Sequence, residues 1–268
     1  MRSNNVLGFI FAATLDDKIP ELASSRTTAS VPIGGKYRII DFDLSNMSNS
    51  GISNVGIVAK SNFQSLMDHV GSGSAYDLSK RRSNLSILPP YDGKAFSSFV
   101  ETIYNMHGYI EHCREEYVLI SQGNVITNID YTDVFDFHSK KKADITLIYK
   151  NHAIPQGYDR PITLDVDNDG KVNQIFVKPG VVDKGVFNHA YGSILIKKDL
   201  LMSEIRNAIS VNQLDVRRLI QSSLGKYSIY AYENKGYCAA ISSINDYFEF
   251  NMDLMKKEVR DELFNPQR

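Results

Sequence analysis

Four short apolar runs constrain the fold more than any other feature of this 268-residue chain: VLGFIF (6–11), NVGIVA (54–59), YVLI (117–120) and ADITLIY (143–149). Each has strand length and lacks the polar alternation of a sheet with one wet face, so each reads as a strand buried on both sides. Between them lie stretches with helical spacing: 41–51, 61–70, 98–116 and 131–142. Gly51 suits a left-handed helix stop, Ser61 an N-cap, and 131–142 carries acids early and lysines late, as the helix dipole favours. Strand, helix, strand, helix predicts a doubly wound, mainly parallel sheet.

The second half changes character. PITLDVDNDGKVNQIFV (161–177) alternates around Asn168-Asp169-Gly170 and predicts a hairpin. Strands are expected at 190–196, 227–232 and 237–242, and helices at 199–208 and 213–223. A helix over 243–259 opens on a capping box of Ser243 and Asp246. The expected architecture is an α/β core with an added, partly antiparallel region.

Composition excludes several classes. Lysine plus arginine is 30 against 31 acids, so a net charge of -1 argues against nucleic-acid or anionic-membrane partners. No apolar run approaches the ~18 residues of a membrane span. VLGFIFAA (6–13) is followed by TLDDK and fits a first strand better than a signal-peptide core. Two cysteines, Cys113 and Cys238, suit a reducing cytoplasm rather than a disulfide framework.

Few local motifs carry chemistry by themselves. DVDNDG (165–170) opens like a calcium loop, but the twelfth position is Phe176 instead of a glutamate, so a hairpin turn is the better reading. The six histidines (His69, His107, His112, His138, His152, His189) show no metal-binding spacing and read as surface or core residues. VPIGGKYRIIDF (31–42) places Gly34-Gly35 beside Lys36 and Arg38, which suits either a phosphate contact or a plain structural turn. A ligand site in an α/β fold is expected at the carboxyl end of a strand such as 117–120. A phosphate-handling enzyme would want a metal-binding acid there; this chain has Ser121, Gln122, Gly123 and Asn124.

The stretch ASVPIGGKYRIIDFDLSNMSNSGISNVGIVAK (29–60) closely resembles the glucose-1-phosphate adenylyltransferase family, also called ADP-glucose pyrophosphorylase. EYVLISQGNVITNIDY (116–131), FVKP (176–179), YGSILI (191–196) and YFEFNMDLM (247–255) extend the resemblance in the same order. It implies a Rossmann-like nucleotide-diphospho-sugar transferase fold, with a mixed, mostly parallel sheet flanked by helices, over residues 1–260. It further implies that 261–268 begins a linker and that the family's C-terminal left-handed β-helix is absent from this chain. The family's reaction joins ATP and glucose 1-phosphate to give ADP-glucose for glycogen, with Mg²⁺.

The resemblance also implies losses. The family's glycine-rich loop ending in an arginine is FAATLDDK (11–18), where Ala12 and Ala13 carry Cβ atoms and Asp16 and Asp17 add negative charge. Arg26 survives in RTTA (26–29), but Thr28 takes the place of a lysine, and SFVET (98–102) replaces a Gly-Thr-Ala-Asp-Ala stretch. Asn124 stands where the family has a metal aspartate. Val177 and Lys178 stand for Glu-Lys, and the second metal aspartate falls within the acid-free AAISSI (239–244). No catalytic residue and no metal ligand are therefore assigned. Arg26, Gly123, Asn124, Lys178, Gly192 and Ser193 are the candidate ligand contacts, and Lys36 and Arg38 the candidate effector contacts, Lys36 matching a lysine the family uses for effectors. The expectation is a cytoplasmic, non-catalytic regulatory subunit that assembles with a catalytic paralogue and needs no cofactor of its own. The alternatives are an active nucleotidyltransferase rebuilt around Asp16, Asp17 or Asp130, and a sugar-phosphate or nucleotide sensor without turnover.

Overall fold

The computed structural model describes residues 3–12, 18–59, 62–79, 84–89, 98–153, 161–177 and 185–264. Ala13, Asp16, Asp17, Ser61 and Lys178, all singled out from the sequence, lie outside them. The chain is α/β, with a mixed, mostly parallel sheet flanked by helices. In chain order the elements are β1 (Val6–Phe11), α1 (Pro20–Ala23), β2 (Pro32–Ile33), β3 (Tyr37–Arg38), α2 (Ile40–Asn49), β4 (Asn54–Val58), α3 (Gln64–Val70), β5 (Asn84–Leu88), α4 (Phe99–Asn105), α5 (His107–His112), β6 (Tyr117–Gln122) and β7 (Val125–Thr127). There follow α6 (Tyr131–Lys141), β8 (Ile145–Ala153), β9 (Ile162–Val166), β10 (Val172–Val177), β11 (Val186–Lys197), α7 (Lys198–Ser210), α8 (Val216–Ser222), β12 (Ile229–Glu233), β13 (Cys238–Ala240), α9 (Ile244–Asp253) and α10 (Lys257–Leu263).

Two compact units divide the chain. The first comprises Met1–Leu7, Pro90–Leu119 and Asp133–Glu233; the second comprises Gly8–Pro89, Ile120–Thr132 and Asn234–Arg268. In the second unit the strand order is β6, β1, β4, β5, with β4 and β5 parallel. Every residue of β1 is buried, as its unbroken apolar run predicts. Helix α2 lies close upon this strand: a Cβ on Gly8 would meet Met47 Sδ at 2.6 Å. Gly51, at φ +79°, stops α2, and the Ile52 amide closes back on the Met47 carbonyl at 2.9 Å. A separate core gathers Ile19, Val31, Ile39, Phe42, Ile126, Ile241 and Phe250. Each such side chain contributes about 1.5–3 kcal/mol on burial.

In the first unit, β9 and β8 flank β11 and pair antiparallel with it; β10 extends β9 and β12 runs parallel to β8. The hairpin expected at 161–177 forms as β9 and β10. Its turn is held by Asp167, whose Oδ1 accepts from the amides of Asp169 (2.8 Å) and Lys171 (2.9 Å), so the calcium-like run is a hairpin turn.

Three elements differ from the sequence expectation. The helix expected over 98–116 is two helices meeting at Met106, where Asn105 and Gly108, both poor helix formers, interrupt it. The helix expected over 243–259 ends at Asp253. Arg260 Nη1 then donates to the free carbonyls of Leu254 (2.8 Å) and Met255 (2.6 Å), which stabilises the break. The segment between β6 and α6 contains β7, which is too short to show a period and pairs antiparallel with β13, the strand expected at 237–242. Among the described residues no helix is long and apolar enough to cross a membrane.

His138 is a core residue, as expected. It is 2% exposed, and its Nδ1 lies 2.8 Å from Thr146 Oγ1. Burial, reinforced by Lys197, pulls its pKa from 6.5 down to about 4. The native state thus prefers the neutral ring. Stability is full above the unfolded value, near 6.5, and falls as the pH drops toward 4. His138→Gln should flatten the dependence of the urea midpoint on pH in that window; an unchanged slope would assign the acid sensitivity to other groups.

Candidate functional site

The site in the second unit is built where β6 and β1 end side by side. The Gly123 amide donates to the Phe11 carbonyl at 2.8 Å, the Ala12 amide to Val58 at 2.9 Å, and the Ala29 amide to the Ala12 carbonyl at 3.1 Å. These bonds draw the residues after β1, the turn at 28–30 and the residues after β6 into contact. A Cβ on Gly123 would lie 2.9 Å from the Phe11 carbonyl oxygen, 3.1 Å from Ala29 Cβ and 3.2 Å from Ala12 Cα. Gly123 is therefore required by close backbone approach. Arg26 is half-buried just ahead of this turn, while Thr27, Thr28 and Ser30 are buried in it. Thr28, in the lysine position, thus presents no cation to the surface.

Asn124 is 1% exposed. Its Nδ2 donates to the Ile241 carbonyl at 3.2 Å, and the Ile241 amide returns to the Asn124 carbonyl at 2.8 Å. The β7–β13 pairing sets Ala240 opposite Val125. Asn124 and the 239–244 segment, separated by more than a hundred residues, therefore meet at one place. Asn124 Oδ1 is buried there with no hydrogen-bond partner among the described residues.

The other candidates fall as follows. Gly34 and Gly35, at φ +55° and +76°, form the turn between β2 and β3, so the structural-turn reading of this stretch holds. Lys36 is exposed on that turn, its Nζ 5.6 Å from the Tyr37 ring centre. The Arg38 guanidinium is occupied by Ser65, donating to its carbonyl (2.5 Å) and Oγ (2.6 Å). Asp130 accepts from Thr132 N (2.8 Å) and Oγ1 (2.6 Å) and caps the start of α6. His69 bonds Asp41 at 2.6 Å; His107 and His112 bond backbone carbonyls within their own segment. In the first unit, Val177 pairs with Ile162, and Ile162 with Ala190. That rung sets the end of β10 level with Ala190, the residue before the Tyr191–Ser193 stretch.

One acid escaped the sequence reading. Asp43 is 3% exposed in the second unit; Ser121 Oγ donates to its Oδ1 at 2.5 Å, and its Oδ2 has no partner among the described residues. Burial raises its pKa to about 7, against the lowering effect of the Ser121 bond. The signal was present: Asp43 shares the inward face of α2 with Ile40, Leu44 and Met47.

The nucleotidyl transferase family model matches residues 17–256. The chain is 30% identical over 277 aligned residues to the glucose-1-phosphate adenylyltransferase of Clostridium acetobutylicum, covering 100% of this chain and 72% of that one. This chain belongs to the glucose-1-phosphate adenylyltransferase family. The Bacillus subtilis protein of the same name is 30% identical over 272 residues, covering 96% and 69% of the two chains, and that of Clostridium perfringens is 31% identical over 269. The fold is also that of a Bacillus anthracis protein described as a glucose-1-phosphate thymidylyltransferase, solved with a sucrose. That match has TM-score 0.74 and 12% identity, and covers 96% of each chain. In this adenylyltransferase-family chain, the described residues of the strand-end site contribute amide, hydroxyl and methyl groups, with Arg26 half-buried just ahead of the 28–30 turn.

Two substitutions test this construction. Gly123→Ala should cost about 1–3 kcal/mol in a denaturant titration, because two of its three close contacts are backbone atoms that cannot turn aside. Asp43 binds its proton more tightly in the native state, so stability should fall as pH rises from about 4 to 7 and level off above. Asp43→Asn should remove that fall and stabilise the protein at pH 8 by on the order of 2–4 kcal/mol. A pH profile identical to that of the parent protein would contradict the assignment.

Proposed function

We propose that this chain is a regulatory, non-catalytic subunit of a glucose-1-phosphate adenylyltransferase in ADP-glucose and glycogen synthesis. It would work in the cytoplasm, assembled with a catalytic paralogue. The observation that carries this reading is Asn124, buried at the end of β6 and bonded to Ile241 in both directions.

The chemistry of nucleotidyl transfer explains why that residue supports the reading. The reaction depends on positioning and on neutralising charge around the transferred phosphorus. In the family, Mg²⁺ supplies part of that charge. A hard divalent ion seeks carboxylate oxygens. At Asn124 it would find one amide oxygen, with Ala239, Ala240 and Ile241 across the ladder. These residues do not fit the ion. Asp43 does not substitute, since burial favours its protonated form up to about pH 7. Thr28, buried in its turn, brings no cation to a phosphate.

The groups that suit a sugar phosphate are distributed differently. Arg26 is half-buried and available for a phosphate. Gly192 and Ser193 follow closely on Ala190, which shares a rung with Val177 at the end of β10. We infer that the chain keeps sugar-phosphate binding while having lost turnover, so that ligand occupancy here tunes the partner subunit.

The decisive experiment supplies the chain alone with ATP, glucose 1-phosphate and Mg²⁺ and follows pyrophosphate release. The expected trace is flat, at least a thousandfold below a catalytic paralogue assayed in parallel, as loss of charge stabilisation predicts. Mixing the two chains should shift the paralogue's kinetics and co-elute them in size-exclusion chromatography. Sustained turnover by the chain alone, abolished by Asp16→Asn or Asp17→Asn, would reverse the reading in favour of a rebuilt active site.

A further inference from the structure

Strand β11 contains an irregularity that local sterics do not fix. Ala190 pairs with Tyr149 and Ile194 with Leu147, so four steps along β11 span two along β8. Tyr191, Gly192 and Ser193 take up the surplus, with Gly192 at φ +84°. A glycine in a bulge admits several backbone paths, so something else must choose among them.

A cluster of three rings is placed to do this. Tyr191 is 3% exposed and His189 1% exposed. Tyr191 Oη lies 2.9 Å from His152 Nε2, and His152 Nε2 lies 3.3 Å from His189 Nδ1. Ring centres are 4.9 Å apart for His189 and Tyr191, and 5.5 Å for each of the other two pairs. Strand alternation places His189 and Tyr191 on one face of β11, and His152, opposite Phe187, on the same face of β8. The Tyr191 side chain thus reaches back along its own strand and is bonded to the neighbouring one. Both imidazoles are kept neutral by burial, His152 with Lys150 nearby and His189 with its pKa at about 3. With its proton on Nδ1, His152 Nε2 offers one lone pair, which accepts from Tyr191 Oη–H at 2.9 Å, while the His189 ring stacks beside it.

We propose that Tyr191, His152 and His189 are positioning residues that hold the Gly192–Ser193 bulge in the conformation that receives a sugar 1-phosphate. The proposal rests on the sugar-phosphate reading of that bulge given above. The rings need not touch the ligand. Their effect passes through the backbone of the bulge.

The test is calorimetric titration of glucose 1-phosphate into the parent chain and into Tyr191→Phe, His152→Leu and His152→Gln, with melting temperature and amide hydrogen exchange followed for each. Tyr191→Phe and His152→Leu should each weaken binding about tenfold, the loss expected for one buried hydrogen bond. Exchange at Gly192–Ile194 should rise while melting shifts little. His152→Gln, which keeps an acceptor near the Nε2 position, should restore most of the affinity. That rescue separates positioning from general loss of packing. Parent-like affinity and exchange in Tyr191→Phe and His152→Leu would overturn the proposal and leave the sugar-phosphate reading standing. Absence of binding by the parent chain, with exchange still raised in the variants, would overturn the sugar-phosphate reading and with it the positioning role, leaving the rings a purely structural brace.

Discussion

The contact between Gly123 and the end of β1 is the constraint on which the second unit depends. An amide donates to the Phe11 carbonyl at 2.8 Å, and a methyl group on the Cα would crowd that carbonyl, the Ala12 Cα and the Ala29 Cβ. That approach fixes how the residues after β6 leave the strand. It places Asn124 next, within reach of Ile241, and so sets the β7–β13 ladder. The apolar cluster around Ile126, Ile241 and Phe250 closes over the same ladder. Backbone hydrogen bonds give the strand ends their direction, and burial of these side chains holds them there.

The distribution of charge follows from this packing. The strand-end position carries an amide where the chemistry of nucleotidyl transfer calls for an acid. Asp43, distant in sequence but buried against the end of β6, is bonded to Ser121 and favours its proton. A buried carboxylate without a cation is expensive, and protonation is the cheapest relief. Among the described residues, the strand ends of this unit thus bring together a buried amide and a buried, proton-favouring carboxyl. In the first unit the organising feature is different: the bulge of β11 is kept in place by neutral imidazole and phenol groups packed ring against ring.

Much of this was legible in the residues. The apolar run at 6–11 became a strand buried along its whole length because six such residues have only a covered sheet in which to lie. Asn168-Asp169-Gly170 became a hairpin because Gly170, at φ +84°, adopts the backbone the turn demands. Ser243 and Asp246 capped α9, with Asp246 N donating to Ser243 Oγ at 3.1 Å. Apolar spacing runs straight through the breaks at Met106 and Leu254–Lys256; the first had a local signal in Asn105 and Gly108, the second none. The second depends on Arg260 folding back onto carbonyls that a sequence does not display.

By itself the sequence determined the α/β class and the family. These follow from residue type and short-range periodicity, which act within a few residues of one another. Only the tertiary structure decided that Asn124 and Ile241 bond to each other, that Arg38 is occupied by Ser65, that Asp43 is buried, and that three rings from two strands converge behind Gly192. Each of these is a contact between segments distant in sequence or a burial set by such contacts. It is specified by the summed packing of the fold and by no local pattern of residues.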